Sequence, residues 1–517
     1  MKVMWVSYDP DVPTKDVYWD MTLLEDLLFD CEHQFGITEE EEGIIVIPAR
    51  RQPQFVDRFN EDIQKVKKVI VLVMGDEEFV FDFKKLSHPD MILWVQSAMP
   101  EMGIENAWPL GYPRRCRQIL KGLGYVKPTK DLFFAGQITH SRREACAAEM
   151  DRIIKGGIIK GEVLRTEGFT QGFTQETYFQ KLIDTKIIPC PTGPEIPDTF
   201  RVYETLEAGR IPIADTITSK GKGEGFWDEM LPGAPIPVIR TYESLTGITQ
   251  EWLQHYILKS NELYAWWQKY KRDLKYRLIK PNSDVTVVIP SSHISTHPNT
   301  EIIEETISTV RVHLPTSEII ITLDGGDYGN KNYEEYKARL LWKCNFEWEN
   351  VVPVIFSTHK QQCGMLKHII GDIRTPLILY VEHDAPLTPD RSIEWENLKQ
   401  CIYQGKADLI RFLHEEHVHQ EHKHLTLGED KEAHLIKTMQ WSQRPHLASK
   451  TFYERILKNY FSDKPEFIED VMHGIVHNAC TADRATGWFG FRLWIYAPPD
   501  DPLGIKRSYH LDGRKTL

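Results

Sequence analysis

Two carboxylates and an imidazole follow an apolar run in the C-terminal half of the chain. Residues 377–387 read LILYVEHDAPL, so Glu382, His383 and Asp384 come directly after a stretch with the composition of a buried strand. Side chains two apart on a strand point the same way, which places Glu382 and Asp384 together and His383 opposite. Adjacent carboxylates repel unless a cation lies between them, and Mn²⁺ or Mg²⁺ suits their oxygens. The alternative is a solvated strand-end loop with incidental charges.

The elements that must position these residues are short apolar runs that alternate with helical stretches. In the C-terminal half, 285–292 and 317–326 are typical of buried strands, and an amphipathic helix is predicted between them at 299–314. In the N-terminal half the corresponding apolar runs are 43–49, 68–74, 91–96, 131–136, 185–191 and 210–215. Strands alternating with helices predict doubly wound α/β folds, which bind ligands at the carboxyl ends of their strands.

A domain boundary is predicted near residue 280. A helical stretch at 250–280, with recurring Trp, Leu and Tyr, is followed by the break KPNSD. We therefore predict domains at 1–280 and 282–517, the first made of two lobes of about 1–125 and 126–280. The aromatic stripe is interpreted as core packing rather than as a ligand platform.

Composition limits the classes of function. The chain has 517 residues, a formal net charge of −13 and 8 cysteines without a CxxC pair. This predicts a soluble cytoplasmic protein in a reducing compartment, since no apolar run is long enough to span a membrane. The acidic balance argues against a general nucleic-acid binder, which needs a basic surface.

Four motifs of the C-terminal half resemble the GT-A glycosyltransferases, particularly glycosyltransferase family 2. They are VTVVIPSS, TLDGG, VEHDA and EFIEDVMHG, in that order, followed by a late histidine in SYHLDG. The resemblance implies that Asp324 binds the nucleotide base and that Glu382 and Asp384 stand at the DXD position, which binds metal and diphosphate. A Glu replaces the first Asp of that motif. The resemblance also implies Asp470 as the catalytic base of an inverting enzyme and His510 as a further metal ligand.

Two other C-terminal stretches are weaker candidates. WSQRPHLAS (441–449) is expected on the acceptor side, where Trp441 could stack on a sugar and His446 lies nearby; core packing is the alternative. The histidine-rich run HEEHVHQEHKH (414–424) could chelate zinc. Its glutamates and lysine favour a solvated loop or strand pair instead. Of the two functional interpretations, a role beside the acceptor is favoured over metal binding.

The stretch 177–215 of the N-terminal half resembles the exostosin-like glycosyltransferases of family 47, which have the GT-B fold. The shared pattern is an apolar strand ending in CPTG, then Arg201, Glu204, Gly209 and an Ile-Pro pair; FFAGQITHSRRE (133–144) matches the preceding glycine turn. Thr205 stands where the family has Ala.

This resemblance has a physical counterpart in the residue types. A glycine turn at Gly136 and a helix N-terminus supply N–H groups for a diphosphate. Arg201, with Arg142 or Arg143, adds bidentate charge to the leaving group without a metal. Glu204 can accept hydrogen bonds from ribose hydroxyls. The alternative for Arg201 and Glu204 is an ordinary i,i+3 helix pair.

These observations predict an α/β protein with an N-terminal GT-B-like pair of Rossmann lobes and a C-terminal GT-A-like domain. Its expected activity is sugar transfer from nucleotide-sugar donors, UDP-sugars first, to a glycan or glycoconjugate acceptor. The C-terminal site is expected to need Mn²⁺ or Mg²⁺ and the N-terminal site no metal. Two alternatives stay open: a DNA-modifying glycosyltransferase of phage type, and a protein in which one or both modules are non-catalytic sugar-binding scaffolds.

Overall fold

Three β-sheets organise the part of the chain that the structure describes. This computed structural model describes residues 1–9, 21–50, 52–168, 172–326, 330–498 and 504–511. The chain divides into two units, Met1–Lys280 and Pro281–Leu517. The first two sheets belong to the N-terminal unit and the third to the C-terminal unit.

The first sheet is parallel throughout, in the order β2-β1-β3-β4-β5-β6. Its central strands are runs of Val and Ile buried on both faces, as parallel sheets require. The strands are β1 (Lys2–Trp5), β2 (Glu32–Phe35), β3 (Glu40–Pro48), β4 (Val66–Met74), β5 (Met91–Gln96) and β6 (Ala107–Trp108). The helices are α1 (Thr22–Leu27), α2 (Val56–Ile63) and α3 (Cys116–Leu123).

The second sheet is also parallel. Its strands are β7 (Lys130–Gln137), β8 (Gly161–Thr166), β9 (Thr185–Cys190), β10 (Ile211–Asp215) and β11 (Val238–Ile239). They lie in the order β11-β10-β9-β7-β8. The helices are α4 (Ser141–Lys155), α5 (Gln175–Ile183), α6 (Phe200–Glu207), α7 (Phe226–Met230), α8 (Leu245–Gln254) and α9 (Tyr256–Leu278).

The aromatic helical stretch predicted at 250–280 is two helices, α8 and α9, separated at His255. The backbone of His255 leaves the helical region, with φ −124° and ψ 32°. Two aromatic side chains of α9 pack into the core as predicted: Tyr264 is buried and Trp267 is fully buried. Its indole N–H donates to Glu207 Oε2 at 2.7 Å, which joins α9 to α6.

The third sheet is mixed, in the order β14-β13-β12-β15-β19-β16-β20-β18-β17. Its strands are β12 (Val285–Ser291), β13 (Glu318–Leu323), β14 (Val351–Ile355), β15 (Leu377–Tyr380), β16 (Leu409–Arg411), β17 (Thr426–Asp430), β18 (Leu435–Thr438), β19 (His446–Ser449) and β20 (Leu493–Tyr496). The helices are α10 (Glu301–His313), α11 (Lys331–Phe346), α12 (Gln361–Ile369), α13 (Trp395–Tyr403), α14 (Lys450–Tyr460), α15 (Ile468–Ala482) and α16 (Arg484–Phe489). Two parallel Rossmann-like sheets followed by a mixed-sheet α/β domain confirm the predicted fold class.

Candidate functional site

The carboxyl ends of three parallel strands meet at one edge of the C-terminal sheet. β12 lies between β13 and β15 and pairs in parallel with both. Asp324 directly follows β13, and Glu382 and Asp384 come shortly after β15. Because the strands run in the same direction, these carboxylates share the edge at which open α/β sheets bind ligands.

The buried carboxylate of Asp324 holds the loop that leads into α12. Its Oδ1 accepts hydrogen bonds from the backbone N–H groups of Gly325 at 2.8 Å and Lys360 at 2.7 Å. Its Oδ2 accepts from the Gln361 N–H at 3.2 Å and lies 2.9 Å from Nδ1 of His359. A carboxylate at this helix N-terminus is favourable. Asp324 thus shapes the loop in addition to any contact with a ligand.

A cavity of 470 Å³ opens beside Asp324. A Cβ on Gly325 would lie 2.5 Å from the backbone carbon of Thr358, so only glycine lets the two segments approach here. His293 and Tyr333 line the cavity and meet edge to face, with ring centroids 5.7 Å apart. Tyr333 is 1% exposed, whereas His293 is exposed, and a flat ring beside a buried carboxylate suits a planar heterocycle. Sequence reasoning missed both rings, although His293 closely follows a predicted strand.

The pair Glu382 and Asp384 has the electrostatics of a site that lacks a counter-charge. Burial, together with the charges of Asp384 and Glu469, raises the pKa of Glu382 to about 8. The amide of Gln362 donates to Glu382 Oε1, which opposes this shift only in part. His383 is more deeply buried than either carboxylate, and its carbonyl accepts from Thr306 Oγ1 at 2.7 Å. The carboxylates of Glu382 and Asp384 thus lie close enough for the charge of Asp384 to raise the pKa of Glu382.

The C-terminal segment 504–511 brings His510 to Asp384. The backbone N–H of Leu511 donates to the Asp384 carbonyl at 2.7 Å, and that of Tyr509 donates to the Pro386 carbonyl at 3.0 Å. These bonds hold the segment against the turn after β15, and His510 Nε2 lies 3.4 Å from Asp384 Oδ2. Two residues predicted as metal ligands from distant parts of the sequence are therefore neighbours.

These side chains are too few to hold a cation by themselves. They fit a cation whose remaining ligands come from a bound molecule. Among the described residues, no group of three or more His, Cys, Asp or Glu side chains is arranged to hold a metal ion. One or two carboxylates, completed by phosphate oxygens and water, are nevertheless the usual protein contribution to Mg²⁺ in nucleotide sites. The uncompensated pair of Glu382 and Asp384 matches that donor set.

Replacing Glu382 by Gln should stabilise the metal-free protein at alkaline pH. The pKa of Glu382 is raised in the folded state from an ordinary value near 4.5, so the stability that its bound proton contributes is present below that value and is lost as pH rises through about 8. We expect Glu382→Gln to raise the free energy of unfolding by about 1–3 kcal/mol at pH 9 in EDTA, and by much less at pH 5. Urea unfolding at both pH values measures this.

The exposed Glu429→Gln is the matched control and should show no such pH-dependent gain. Equal effects of the two substitutions would contradict the electrostatic account of Glu382.

A second cavity, of 310 Å³, adjoins Glu382 on the side of β16 and α15. Glu469 lines it, and Glu469 Oε2 accepts from the Gln443 N–H at 3.0 Å. Asp470, the residue predicted as the base, lies exposed in the first turn of α15. The two adjacent acids therefore have different surroundings, one within the cavity and one at the surface.

The predicted acceptor residues Trp441 and His446 lie in the core. The Trp441 side chain is 1% exposed and stacks on Phe452, with ring centroids 6.0 Å apart. His446 is fully buried, and its Nε2 pairs with the hydroxyl of Tyr453. A buried indole has no face left for a sugar, so core packing, the alternative raised for Trp441, is what the structure has.

The N-terminal unit has its own cavity, of 690 Å³, at the carboxyl end of β7. Arg143 and Arg201 line it, and Arg201 Nη2 donates to the Ala135 carbonyl at 2.6 Å. A Cβ on Gly136 would lie 2.9 Å from that nitrogen, so glycine makes room for the guanidinium. Burial and the charge of Arg201 lower the pKa of Arg143 to about 10. Neither arginine Nε has a hydrogen-bond partner among the described residues.

The structure separates the two adjacent arginines that the sequence left as alternatives. Arg142 does not line the cavity, because its guanidinium binds both carboxylate oxygens of the buried Asp215, at 2.9 and 2.5 Å. Glu204 lines the cavity but accepts a hydrogen bond from the Tyr178 hydroxyl at 2.7 Å. Arg143, Arg201 and Gly136 thus come together, while Arg142 serves the packing of β10.

Asp198 is a cavity residue that sequence reasoning missed. Its carboxylate accepts from Ser97 Oγ at 2.8 Å, the Leu110 N–H at 3.1 Å and the Tyr203 hydroxyl at 2.7 Å. Burial nevertheless raises the pKa of Asp198 to about 6. Ser97 adopts a positive φ of 55°, unusual for a non-glycine residue. Asp198 therefore ties the end of β5 to the start of α6 at the cavity wall.

Among the described residues we find no helix with both the length and the apolar character needed to cross a bilayer. No protein-family model matches the chain, and no curated protein matches it.

Solved structures give partial matches at low sequence identity. S. aureus TarS 1–349 is 13% identical with a TM-score of 0.28, over 44% of this chain and 60% of that chain. The same fragment in complex with UDP-GlcNAc is 11% identical with a TM-score of 0.30, over 45% of this chain and 59% of that chain. The mannosyltransferase PcManGT from Pyrobaculum calidifontis, in complex with GDP-Man and Mn²⁺, is 13% identical with a TM-score of 0.28, over 48% of this chain and 65% of that chain. The matched regions thus span less than two thirds of each of these chains. Likenesses of this size establish neither a shared fold nor a shared activity, so the function proposed below rests on the residues of the site.

Proposed function

We propose that the C-terminal unit transfers a sugar from a nucleotide-sugar donor, a UDP-sugar first, to a hydroxyl of a glycan or glycoconjugate acceptor. One observation carries the proposal: at one edge of the sheet Asp324 lines one cavity, Glu382 lines another, and Asp384 lies beside His510. A donor has a planar base, a diphosphate and a sugar in a row. The cavity beside Asp324 suits the base, and the paired carboxylates suit a cation on the diphosphate.

The chain's own residues divide the work between the two cavities. The exposed ring of His293 lies against the base, the buried Tyr333 supports that ring from behind, and the loop held by Asp324 forms one wall. Asp384, Glu382 and His510 would hold Mn²⁺ or Mg²⁺. When bound, that ion neutralises the charge that develops on a departing nucleoside diphosphate. The cavity lined by Glu382 and Glu469 is then left for the acceptor.

The acceptor hydroxyl must lose its proton as it attacks the anomeric carbon. We propose that the carboxylate of Asp470 takes this proton, with inversion at that carbon. Asp470 is exposed at the start of α15, and no hydrogen bond or ion pair within the described residues occupies its carboxylate. Its neighbour Glu469 accepts a hydrogen bond from the Gln443 N–H, so we assign Glu469 a role in positioning other groups of the site.

A panel of nucleotide sugars tests the proposal directly. We expect at least one UDP-sugar to raise the melting temperature in the presence of Mn²⁺ and to be slowly hydrolysed. Both effects should vanish in EDTA. If no nucleotide sugar stabilises the protein under either condition, the transferase proposal fails and the scaffold alternative is favoured. Binding of duplex DNA in a gel shift would instead favour a DNA acceptor.

We propose a second, metal-independent nucleotide-sugar site of GT-B type in the N-terminal unit. The observation that favours it is the pair Arg143 and Arg201, two half-buried cations that line one cavity and whose buried Nε atoms have no hydrogen-bond partner among the described residues. The charge of Arg201 lowers the pKa of Arg143, so the two guanidinium groups repel each other although Glu204 lies in the same cavity, and a diphosphate can accept hydrogen bonds from both. The dipole of a helix N-terminus adds to this attraction.

Replacing Arg201 by Gln should weaken this second site alone. We expect the affinity for UDP in EDTA to fall about 10–100-fold, because charge-assisted hydrogen bonds are lost. The exposed Arg165→Gln on β8 is the control. Calorimetric titration measures both variants. The Mn²⁺-dependent hydrolysis should be unchanged in Arg201→Gln; its loss would mean one coupled site instead of two.

A further inference from the structure

Arg411 is a buried cation whose donors the fold does not satisfy. It ends β16, is 4% exposed and lines the cavity that adjoins Glu382. Its Nη2 donates to Gln440 Oε1 at 3.2 Å, while its buried Nε has no hydrogen-bond partner among the described residues. A guanidinium has five N–H groups, and leaving such donors unpaired in a buried position is costly.

The neighbouring charges do not neutralise Arg411. Arg444 and Glu415 are paired with each other, since both terminal nitrogens of Arg444 donate to the Glu415 carboxylate. Glu469 accepts from a backbone N–H and forms no ion pair with Arg411 within the described residues. Burial and the charge of Arg444 lower the pKa of Arg411 to about 10, while Glu469 and Glu415 raise it. Arg411 is therefore a buried guanidinium without an ion-pair partner among the described residues, in a cavity that Glu382, Glu415 and Glu469 also line.

The rest of the cavity is polar. His414, His419 and His422, from the histidine-rich run of the sequence, line it together with Gln440. Imidazole and amide groups offer hydrogen bonds to hydroxyl-rich molecules without excluding them by shape or charge. The cavity therefore combines the unpaired guanidinium of Arg411 with imidazole and amide groups, the Arg444–Glu415 ion pair and the carboxylates of Glu382 and Glu469.

We propose that the acceptor carries an anionic group, a carboxylate or a phosphate, and that Arg411 binds it in this cavity. A guanidinium matches the two oxygens of either group in a bidentate geometry. The inference rests on the proposed function, because only a transferase has an acceptor here. It names the substrate class as an acidic glycan or a phosphate-containing glycoconjugate, and it makes Arg411 a determinant of specificity.

The test uses small probes and the full chain. Sodium glucuronate, glycerol 1-phosphate and neutral methyl glucoside are titrated at millimolar concentration and followed by ligand-observed NMR. We expect one anion to bind at least about tenfold more tightly than methyl glucoside, and Arg411→Gln to remove about that factor, since charge-assisted hydrogen bonds are lost. Preference for glucuronate would indicate a carboxylate acceptor, and preference for glycerol phosphate a phosphate acceptor.

Arg411→Lys keeps the positive charge but loses the planar guanidinium, so its affinity for the anion should lie between those of wild type and Arg411→Gln. If Arg411→Gln does not fold, Arg411→Lys is measured in its place. Arg455→Gln, which removes a partly exposed arginine from α14 outside this cavity, is the control and should bind like wild type. Equal binding of all three probes, or unchanged anion binding in both Arg411 variants, would overturn the proposal. Mn²⁺-dependent UDP binding is measured on the same samples, so failure of the transferase proposal is seen separately.

Discussion

Asp384→Asn should abolish metal-dependent turnover. The substitution keeps the size of the side chain but removes one of two adjacent carboxylates proposed to hold a cation on the donor diphosphate. We expect UDP-sugar hydrolysis with Mn²⁺ to fall by about 10³-fold, because the cation contributes several kcal/mol of charge stabilisation to the departing diphosphate. The Mn²⁺-dependent rise in melting temperature with UDP should disappear as well.

Asp390→Asn is the matched control, since this exposed carboxylate lies six residues further on and lines neither of the two C-terminal cavities described above. It should retain wild-type hydrolysis. Because His510 contacts Asp384 through a side-chain pair only, the fold around β15 should survive the substitution, and urea unfolding verifies this. Full hydrolysis by Asp384→Asn in EDTA would refute the role proposed for the cation.

Local sequence pattern was enough to place three of the predicted site residues at the C-terminal sheet edge. Runs of Val and Ile set β12, β13 and β15, and parallel strands deliver the residues that follow them to a common edge. The positions of Asp324, Glu382 and Asp384 after these strands could therefore be predicted from the pattern, whereas the role of Asp324 was suggested by the resemblance. His510 was suggested by resemblance alone, since its approach to Asp384 depends on backbone bonds made by segment 504–511.

The surroundings of residues whose partners lie far along the chain could not be predicted from the sequence. Nothing local distinguishes Arg142 from Arg143, because the carboxylate that captures Arg142 belongs to Asp215, 73 residues later. Trp441 stands in a polar stretch that suggests exposure, yet Phe452 on α14 covers its ring. Arg411 drew no attention at all, since a single arginine at a strand end becomes informative only when its burial and its missing partners are known.

We expect different roles for the adjacent acids Glu469 and Asp470 in proton transfer. A base needs a lone pair that is free when the acceptor arrives, and within the described residues Asp470 has no partner. Glu469 lies among other charges, and its charge raises the pKa of Glu382. Glu469 should therefore affect how the site binds cations and acceptors, whereas Asp470 should affect the chemical step.

Asp470→Asn should lower kcat by roughly 10²–10⁴-fold while donor affinity stays within about twofold of wild type, because the amide keeps the shape but cannot take a proton. Glu469→Gln should mainly change the metal and acceptor dependence, visible as a change in KM. Single-turnover transfer with a saturating UDP-sugar, together with UDP titration, separates the two effects. The exposed Asp463→Asn, in the loop before α15, is the control. If Asp470→Asn keeps wild-type kcat and Glu469→Gln loses it, Glu469 is the base, and its place in the cavity with Arg411 becomes the geometry of the reaction.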